Sequence, residues 1–583
     1  MRTLLGILIA TRLLVHIPVE DARNTRVPDD YTHFVMPSYS KLPEWEARKA
    51  HLRKQILSAA GLLPMPPRTP LNPKIYGTLD RGSYEIRKVL IETLPGYYLG
   101  GDVYLPTHHE GKIPGVLLAH GHWKYGRLQN ETEYSVPALA VNLARQGYAV
   151  FAYDMVGYND TRQTPHSFGG MDEELWSFSP LGLQLWNSTR ALDYLASLEQ
   201  VDANRLAMTG ASGGSTQTFL LSAVDDRIRV SAPVNMISAT MQGADPCEDA
   251  PGLRFGTFNV EIAALMAPRR MLVVSDTQDW TKNTPREEFP AIHSIYALYG
   301  RPDHVAGVQL DAPHNYNKES REAVYAFFAK HLLHRQVTPK DTEFQQERDE
   351  DLVALKDGQA PVNSLTYQGV FADWKRMAQR QFEQTTDKGA LRERLQYALG
   401  SEWPTAAIVS EIVKDGVVLS RVGVGDRVTG LYLNRSAQDA ALVVSPRGAS
   451  AVRRSPQVQD LADSGSAVMM IDPFQSDGSR AQRSRTNRYF LTYNKSDDAI
   501  HVQDILTAMS FLRLNHSGKI SLVGVDEAAV WCAFAAAVAP IEVSLVANLD
   551  NFRGADEDFK KRFFVPGIQR AGGLAAARLL TSR

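Results

Sequence analysis

Residues Gly210-Ala211-Ser212-Gly213-Gly214 constrain this chain more than any other stretch. A short apolar run, Leu206–Met208, stops at Thr209-Gly210, and a helix-compatible segment begins just after Ser212. A strand that turns into a helix through G-x-S-x-G must bend so sharply that a side chain at either glycine would clash. The bend lifts the Ser212 hydroxyl above the sheet edge. It also sets the free N–H groups of the next helix beneath the reacting oxygen. A plain Gly-Ser turn is the competing reading, and the flanking strand and helix argue against it.

At 583 residues the chain is too long for one ordinary core, so two large domains are expected. A net charge of −2 provides no basic field for nucleic acid. The two cysteines, Cys247 and Cys532, exclude a disulfide scaffold and Cys-rich metal sites. The N-terminus has a basic start and an apolar stretch, Leu4–Ala10, interrupted by Arg12 and too short to span a bilayer. Two readings of residues 1–25 stay open: a secretory signal, giving a periplasmic or secreted protein, or an ordinary N-terminal segment of a cytoplasmic one.

Leu42–Leu63 reads as an amphipathic helix, followed by a Pro-rich connector. Tyr84–Ile91 and Gly101–Leu105 read as strands joined through Pro95-Gly96. The apolar run Gly115–Ala119 is expected to be a strand buried on both faces, running into His120-Gly121-His122-Trp123. Helix Val136–Gln146 and strand Tyr148–Tyr153 lead to the polar loop Asp154–Asp160, and helix Leu181–Leu198 precedes the elbow. Beyond it come strand Val230–Ile237, a long insert Ser238–Ala263, and strand Arg270–Ser275 ending in Asp276-Thr277-Gln278-Asp279-Trp280. Strand Val305–Asp311 ends in Ala312-Pro313-His314, with helix Ser320–Leu333 behind it. Strands alternating with helices imply a doubly wound, mostly parallel sheet. The order Ser212, Asp279, His314, with acid and base each just past a strand, is that of the α/β-hydrolase fold.

The second half repeats the elements and loses the chemistry. Ala372–Gly400 echoes the N-terminal helix, and Ala441–Val444 echoes Gly115–Ala119, but Pro446-Arg447-Gly448 stands where His120-Gly121 stood. Met470–Arg480 overlies Ala152–Arg162, pairing Asp472 with Asp154 and Arg480 with Arg162. At the elbow, Gly524-Val525-Asp526-Glu527-Ala528 replaces the serine motif. The expected organisation is a catalytic α/β-hydrolase domain over 26–337, a solvated linker over 338–370, and a degenerate, non-catalytic copy over 371–583.

In the first half, His314 would take the Ser212 proton and return it to the leaving alcohol, with Asp279 orienting the imidazole. Backbone N–H groups of Gly213 and His122 would bind the oxyanion. Asp276 and Glu248 are alternative acids. HGHWKYGR (His120–Arg127), DMVGYNDTR (Asp154–Arg162), GASGGS (Gly210–Ser215), DWTKNTPREEFPA (Asp279–Ala291) and PHNYNKESREAVYAFF (Pro313–Phe328) resemble bacterial acetyl xylan esterase-like α/β-hydrolases. The tandem arrangement is similar to carbohydrate esterases of plant-polysaccharide degraders, some acting on methylated pectin. The resemblance implies Ser212, Asp279 and His314 as the triad, no cofactor, no metal and a carbohydrate ester substrate.

An acetyl ester needs a small acyl pocket, whereas a methyl uronate favours cations that read neighbouring carboxylates. Arg127, Arg162 and Arg254 could serve there, with Asp154 as a polar contact and Trp123, Trp186 and Trp280 as sugar platforms. Each has a blander reading, as a salt-bridging, turn-forming or core residue. Acetyl xylan esterase-like deacetylation leads, with a pectin or uronate methylesterase as the alternative. A non-enzymatic glycan-binding or scaffold protein is the reading from another class. A peptidase is disfavoured because no propeller repeats precede the catalytic half.

Overall fold

A computed structural model describes residues 17–356, 360–405 and 407–582. The apolar stretch Leu4–Ala10, and with it most of the signal-like segment, lies outside the described residues. No described helix is long and apolar enough to cross a membrane.

The first half forms a nine-stranded sheet in the order β1-β2-β3-β5-β4-β6-β7-β8-β9. Its strands are β1 Lys74–Asp80, β2 Tyr84–Leu94, β3 Tyr97–Pro106, β4 Ile113–Ala119, β5 Ala149–Tyr153, β6 Val201–Ala211, β7 Ile228–Val234, β8 Arg270–Asp276 and β9 Val305–Leu310. β1, β2 and β3 pair antiparallel, and β3 also pairs antiparallel with β5. Every pairing from β5 through β4, β6, β7, β8 to β9 is parallel. All seven residues of β4 and all five of β5 are buried, as the continuous apolar runs require of strands covered on both faces. β1 was not foreseen. It is an edge strand whose residues are almost all exposed, so no hydrophobic alternation marks it.

The second half forms a seven-stranded sheet, β10-β11-β12-β14-β13-β15-β16. These strands are β10 Ile408–Val413, β11 Gly416–Arg421, β12 Val428–Leu433, β13 Ala440–Val444, β14 Ala467–Asp472, β15 Ile520–Gly524 and β16 Ser544–Ala547. Strand for strand this is the order of β1 to β7, including the exchanged central pair. Among the described residues the counterparts of β8 and β9, the strands that lead into Asp279 and His314, are missing from it.

The halves share one apolar core. Trp374 lies against the first half and donates its indole N–H to the Trp176 carbonyl at 3.0 Å, while Phe178 stacks on Phe371 at 5.1 Å. Arg570 reaches across to the Gly61 carbonyl at 2.9 Å. Of the expected solvated linker over 338–370, the part 338–356 is in part docked. Leu352 and Ala354 are buried, and the N–H groups of Ala354 and Leu355 donate to the Asp160 carboxylate, each at 2.9 Å.

Candidate active site

β6 runs into the helix Gly213–Val224 with no intervening loop, and Ser212 sits between them at φ 57°, ψ −126°. A non-glycine residue in that region is strained, and the surroundings hold it there. The Ser212 N–H donates to the Val234 carbonyl at 3.1 Å, and its carbonyl accepts from Ser215 and Thr216 at 2.8 and 3.1 Å. A Cβ on Gly210 or Gly214 would strike the Ala119 carbonyl oxygen, and one on Gly213 would strike the His122 ring. The glycines are thus required by close approach of the β4 loop to the elbow. In the second half Asp526 keeps a positive φ of 53°, so the bend survives there without the hydroxyl.

The loop after β4 is fixed from both sides. His120 is fully buried; its Nδ1–H donates to the Gly121 carbonyl at 2.7 Å, and its Nε2 accepts from the Met155 N–H at 2.9 Å. Burial holds this imidazole neutral, with its pKa pushed down to about 3. The Gly121 N–H donates to the Tyr134 hydroxyl at 3.1 Å, and Trp123 stacks on Tyr134 at 3.6 Å.

Past β8 and β9, His314 Nδ1 lies 2.8 Å from Asp279 Oδ2. The other Asp279 oxygen accepts from the Thr281 N–H at 2.7 Å and from its hydroxyl at 2.5 Å. Trp280 lies over the His314 ring at 4.3 Å, and Trp123 runs parallel to it at 6.2 Å. The consecutive residues His122 and Trp123 therefore lie against the elbow at Gly213 and parallel to the ring of His314. His314 Nε2 is buried and makes no hydrogen bond to any described residue, so no such bond to the Ser212 hydroxyl is formed in this state. Serine–histidine bonds of this kind are often long before substrate arrives.

The alternative acids are turned elsewhere. Asp276 accepts from the side-chain amides of Asn235 and Asn315, and burial with Asp279 nearby raises its pKa to about 7. Glu248 accepts from the Ala244 N–H at 2.9 Å and the Thr216 hydroxyl at 3.2 Å.

Several expected substrate groups are structural. Arg127 is 1% exposed and donates to Asp102 at 2.9 Å, Asp154 at 2.5 Å, Asp160 at 2.7 Å and the Leu352 carbonyl at 2.9 Å. That corrects the reading of both Arg127 and Asp154 as sugar contacts, since neither side chain meets solvent. Desolvation lifts the pKa of Asp102 to about 7 and of Asp154 to about 6 despite the guanidinium. Arg254 is likewise enclosed, donating to Asp249 at 2.7 Å and to Asn259. Trp186 is a core residue whose indole N–H donates to the Thr93 carbonyl at 2.8 Å. Arg162 remains exposed, and Trp123 and Trp280 are partly exposed beside His314.

Sequence reasoning missed Thr281, which braces the acid. It also missed Asn235 and Asn315, which divert Asp276, and the Tyr134 platform under Trp123. Thr281 lay inside the quoted DWTKNT run, two residues from Asp279, the spacing of an Asx turn.

The sheet order, the elbow and an acid–imidazole pair past the last two strands define an α/β-hydrolase. No family model matches the sequence. The chain is 27% identical over 307 residues to "Putative hydrolase YtaP" of Bacillus subtilis (strain 168), covering 49% of this chain and all of that one. Among solved structures, Methylesterase BT1017 is 30% identical, with 61% of this chain and 77% of that one covered and a TM-score of 0.49. A glucuronoyl esterase from Solibacter usitatus is 18% identical, covering 52% of this chain and 98% of that one, with a TM-score of 0.38. The likeness in sequence to a hydrolase agrees with that fold.

Proposed function

We propose that this protein is a serine esterase acting on carboxylic esters of carbohydrate, with Ser212, His314 and Asp279 as its triad. The observation that carries the reading is the Asp279–His314 pair at 2.8 Å, whose free Nε2 is directed away from the acid on a loop that Trp123 links to the elbow. Asp279 accepts the Nδ1–H, which leaves the Nε2 lone pair to take the Ser212 proton as Oγ attacks the ester carbon. The negative charge on the tetrahedral oxygen is met by the N–H of Gly213, which as the first residue of its helix has no i−4 partner there, and by the N–H of His122. The imidazolium then protonates the departing alkoxide, and water attacks the acyl-enzyme by the same route. Residues 26–337 are the catalytic unit. Residues 371–583 are a non-catalytic copy, because Asp526 has replaced the serine and the two strands that would bring an acid and a base are missing among the described residues.

Deacetylation is the first reading of the ester. Burial of Arg127 and Arg254 supports it, since two of the three cations suited to a uronate are enclosed. Methyl uronate hydrolysis is the second reading, favoured by the 30% identity to a methylesterase and by the exposed Arg162. Acetylated xylan and methylated pectin, each assayed for acetate and methanol, decide between them. Either product must vanish in Ser212→Ala; release unchanged in that variant contradicts the triad.

A further inference from the structure

Three loops at the carboxyl edge of the first sheet bring together His122 (after β4), His166 (after β5) and Cys247 (in the insert after β7). Each offers one donor atom, and the three donors lie within 4.8 Å of one another. His166 Nδ1 lies 2.7 Å from the Val156 carbonyl, which can only accept, so Nδ1 carries the proton and Nε2 presents a lone pair. That Nε2 is buried and has no partner among the described residues. His122 is set up the same way: Nδ1 faces Asp245 at 3.6 Å and Nε2 lies 3.0 Å from Cys247 Sγ. A carbonyl behind one imidazole and a carboxylate behind the other is the outer-shell arrangement that orients histidines toward a metal.

We propose that His122 Nε2, His166 Nε2 and Cys247 Sγ bind a divalent zinc-class ion. Two imidazole nitrogens and one thiolate form a borderline-soft donor set that selects zinc over magnesium or calcium. Around a tetrahedral ion with bonds of ~2.0–2.3 Å, donors lie roughly 3.3–3.7 Å apart. The present cluster reaches that spacing by small movements of the rings and the thiol, with the Cys247 proton released to solvent as the metal–sulfur bond forms. Because the His122 ring rests on Gly213, the ion would pin the oxyanion loop, the loop following β5 and the insert against the elbow. This consequence for the active site rests on the esterase reading; the binding itself does not.

The test uses the untagged full-length chain, stripped with a chelator and titrated with zinc chloride and with cobalt chloride. Cobalt is expected to bind one to one with a near-ultraviolet thiolate-to-metal charge-transfer band. The band should be lost in Cys247→Ser and retained in Cys532→Ser, the only other cysteine in the chain. Zinc affinity, read by competition with a chromophoric chelator, should fall at least tenfold in His166→Gln. A wild-type protein without the band, a band that survives Cys247→Ser, or zinc affinity unchanged in His166→Gln overturns the proposal. Fluorophosphonate labelling of the stripped wild type runs alongside. Labelled protein that binds no metal removes the ion and keeps the esterase; protein that binds metal without labelling does the reverse.

Discussion

Replacing Arg127 with methionine separates a structural role from a substrate role. The guanidinium is enclosed by Asp102, Asp154 and Asp160 at 2.5–2.9 Å, and it also holds the Leu352 carbonyl. Methionine keeps most of the length and removes the charge, which leaves three carboxylates facing each other without water. Breaking a buried ion pair by deleting one partner costs about 3–5 kcal/mol. In a domain of this size that corresponds to a melting temperature lower by about 5–8 °C. The deficit should depend on pH. Unfolded, these carboxylates ionise near ~4; folded, Asp102 does so at about 7 and Asp154 at about 6. Between those limits the native state holds more protons than the unfolded one, so this cluster's contribution to stability falls as pH rises. Without Arg127 the folded values rise further. The loss relative to wild type should then be smallest near pH 5 and grow toward pH 8, by about 1.4 kcal/mol per pH unit for each carboxylate protonated in the folded variant but ionised in the folded wild type. Thermal denaturation at pH 5, 6.5 and 8 measures this, with KM for a soluble ester recorded in parallel. A variant as stable as wild type at pH 8, with KM raised, would show that Arg127 serves substrate rather than the fold.

Other outcomes follow from the same geometry. Asp279→Asn should lower kcat by about 10⁴ with folding intact, because the amide favours the wrong imidazole tautomer. Asp276→Asn and Glu248→Gln, whose carboxylates do not touch His314, should each stay within about tenfold of wild type in the same steady-state assay. Trp280→Ala removes the ring lying 4.3 Å from His314 and should cut kcat by about ten- to a hundredfold, with KM for a small ester little changed. Gly214→Ala drives a methyl group into the Ala119 carbonyl and should cost about 1–3 kcal/mol in chemical denaturation, with labelling of the serine reduced.

What could be read in advance was local. The elbow needs only its glycines and the flanking strand and helix, and β4 and β5 are unbroken apolar runs, so each carries its own signature. Asp279 and His314 could be placed because each follows a strand end within a few residues. What escaped reading was set by distant partners. Arg127 sits in HGHWKYGR, which looks like a solvent loop, yet its three aspartates come from β3 and from the loop after β5, and its carbonyl partner comes from residue 352. The sequence favoured Asp279 by its loop position and left Asp276 and Glu248 as alternatives; Asn235 and Asn315 occupy the former, and the Ala244 N–H and Thr216 occupy the latter. Leu352 follows the acidic run Asp349-Glu350-Asp351, so composition made its segment a solvated linker, whereas packing against the Asp160 cluster fixed it in place. His122, His166 and Cys247 come from three loops with no shared spacing, so only the fold brings them together.

The triad is tested most directly by treating the native protein with a fluorophosphonate and mapping the adduct by mass spectrometry. A single adduct is expected on Ser212, abolished in His314→Ala while that variant melts like wild type. An adduct on another residue, or equal labelling of Ser212 without the imidazole, contradicts the triad.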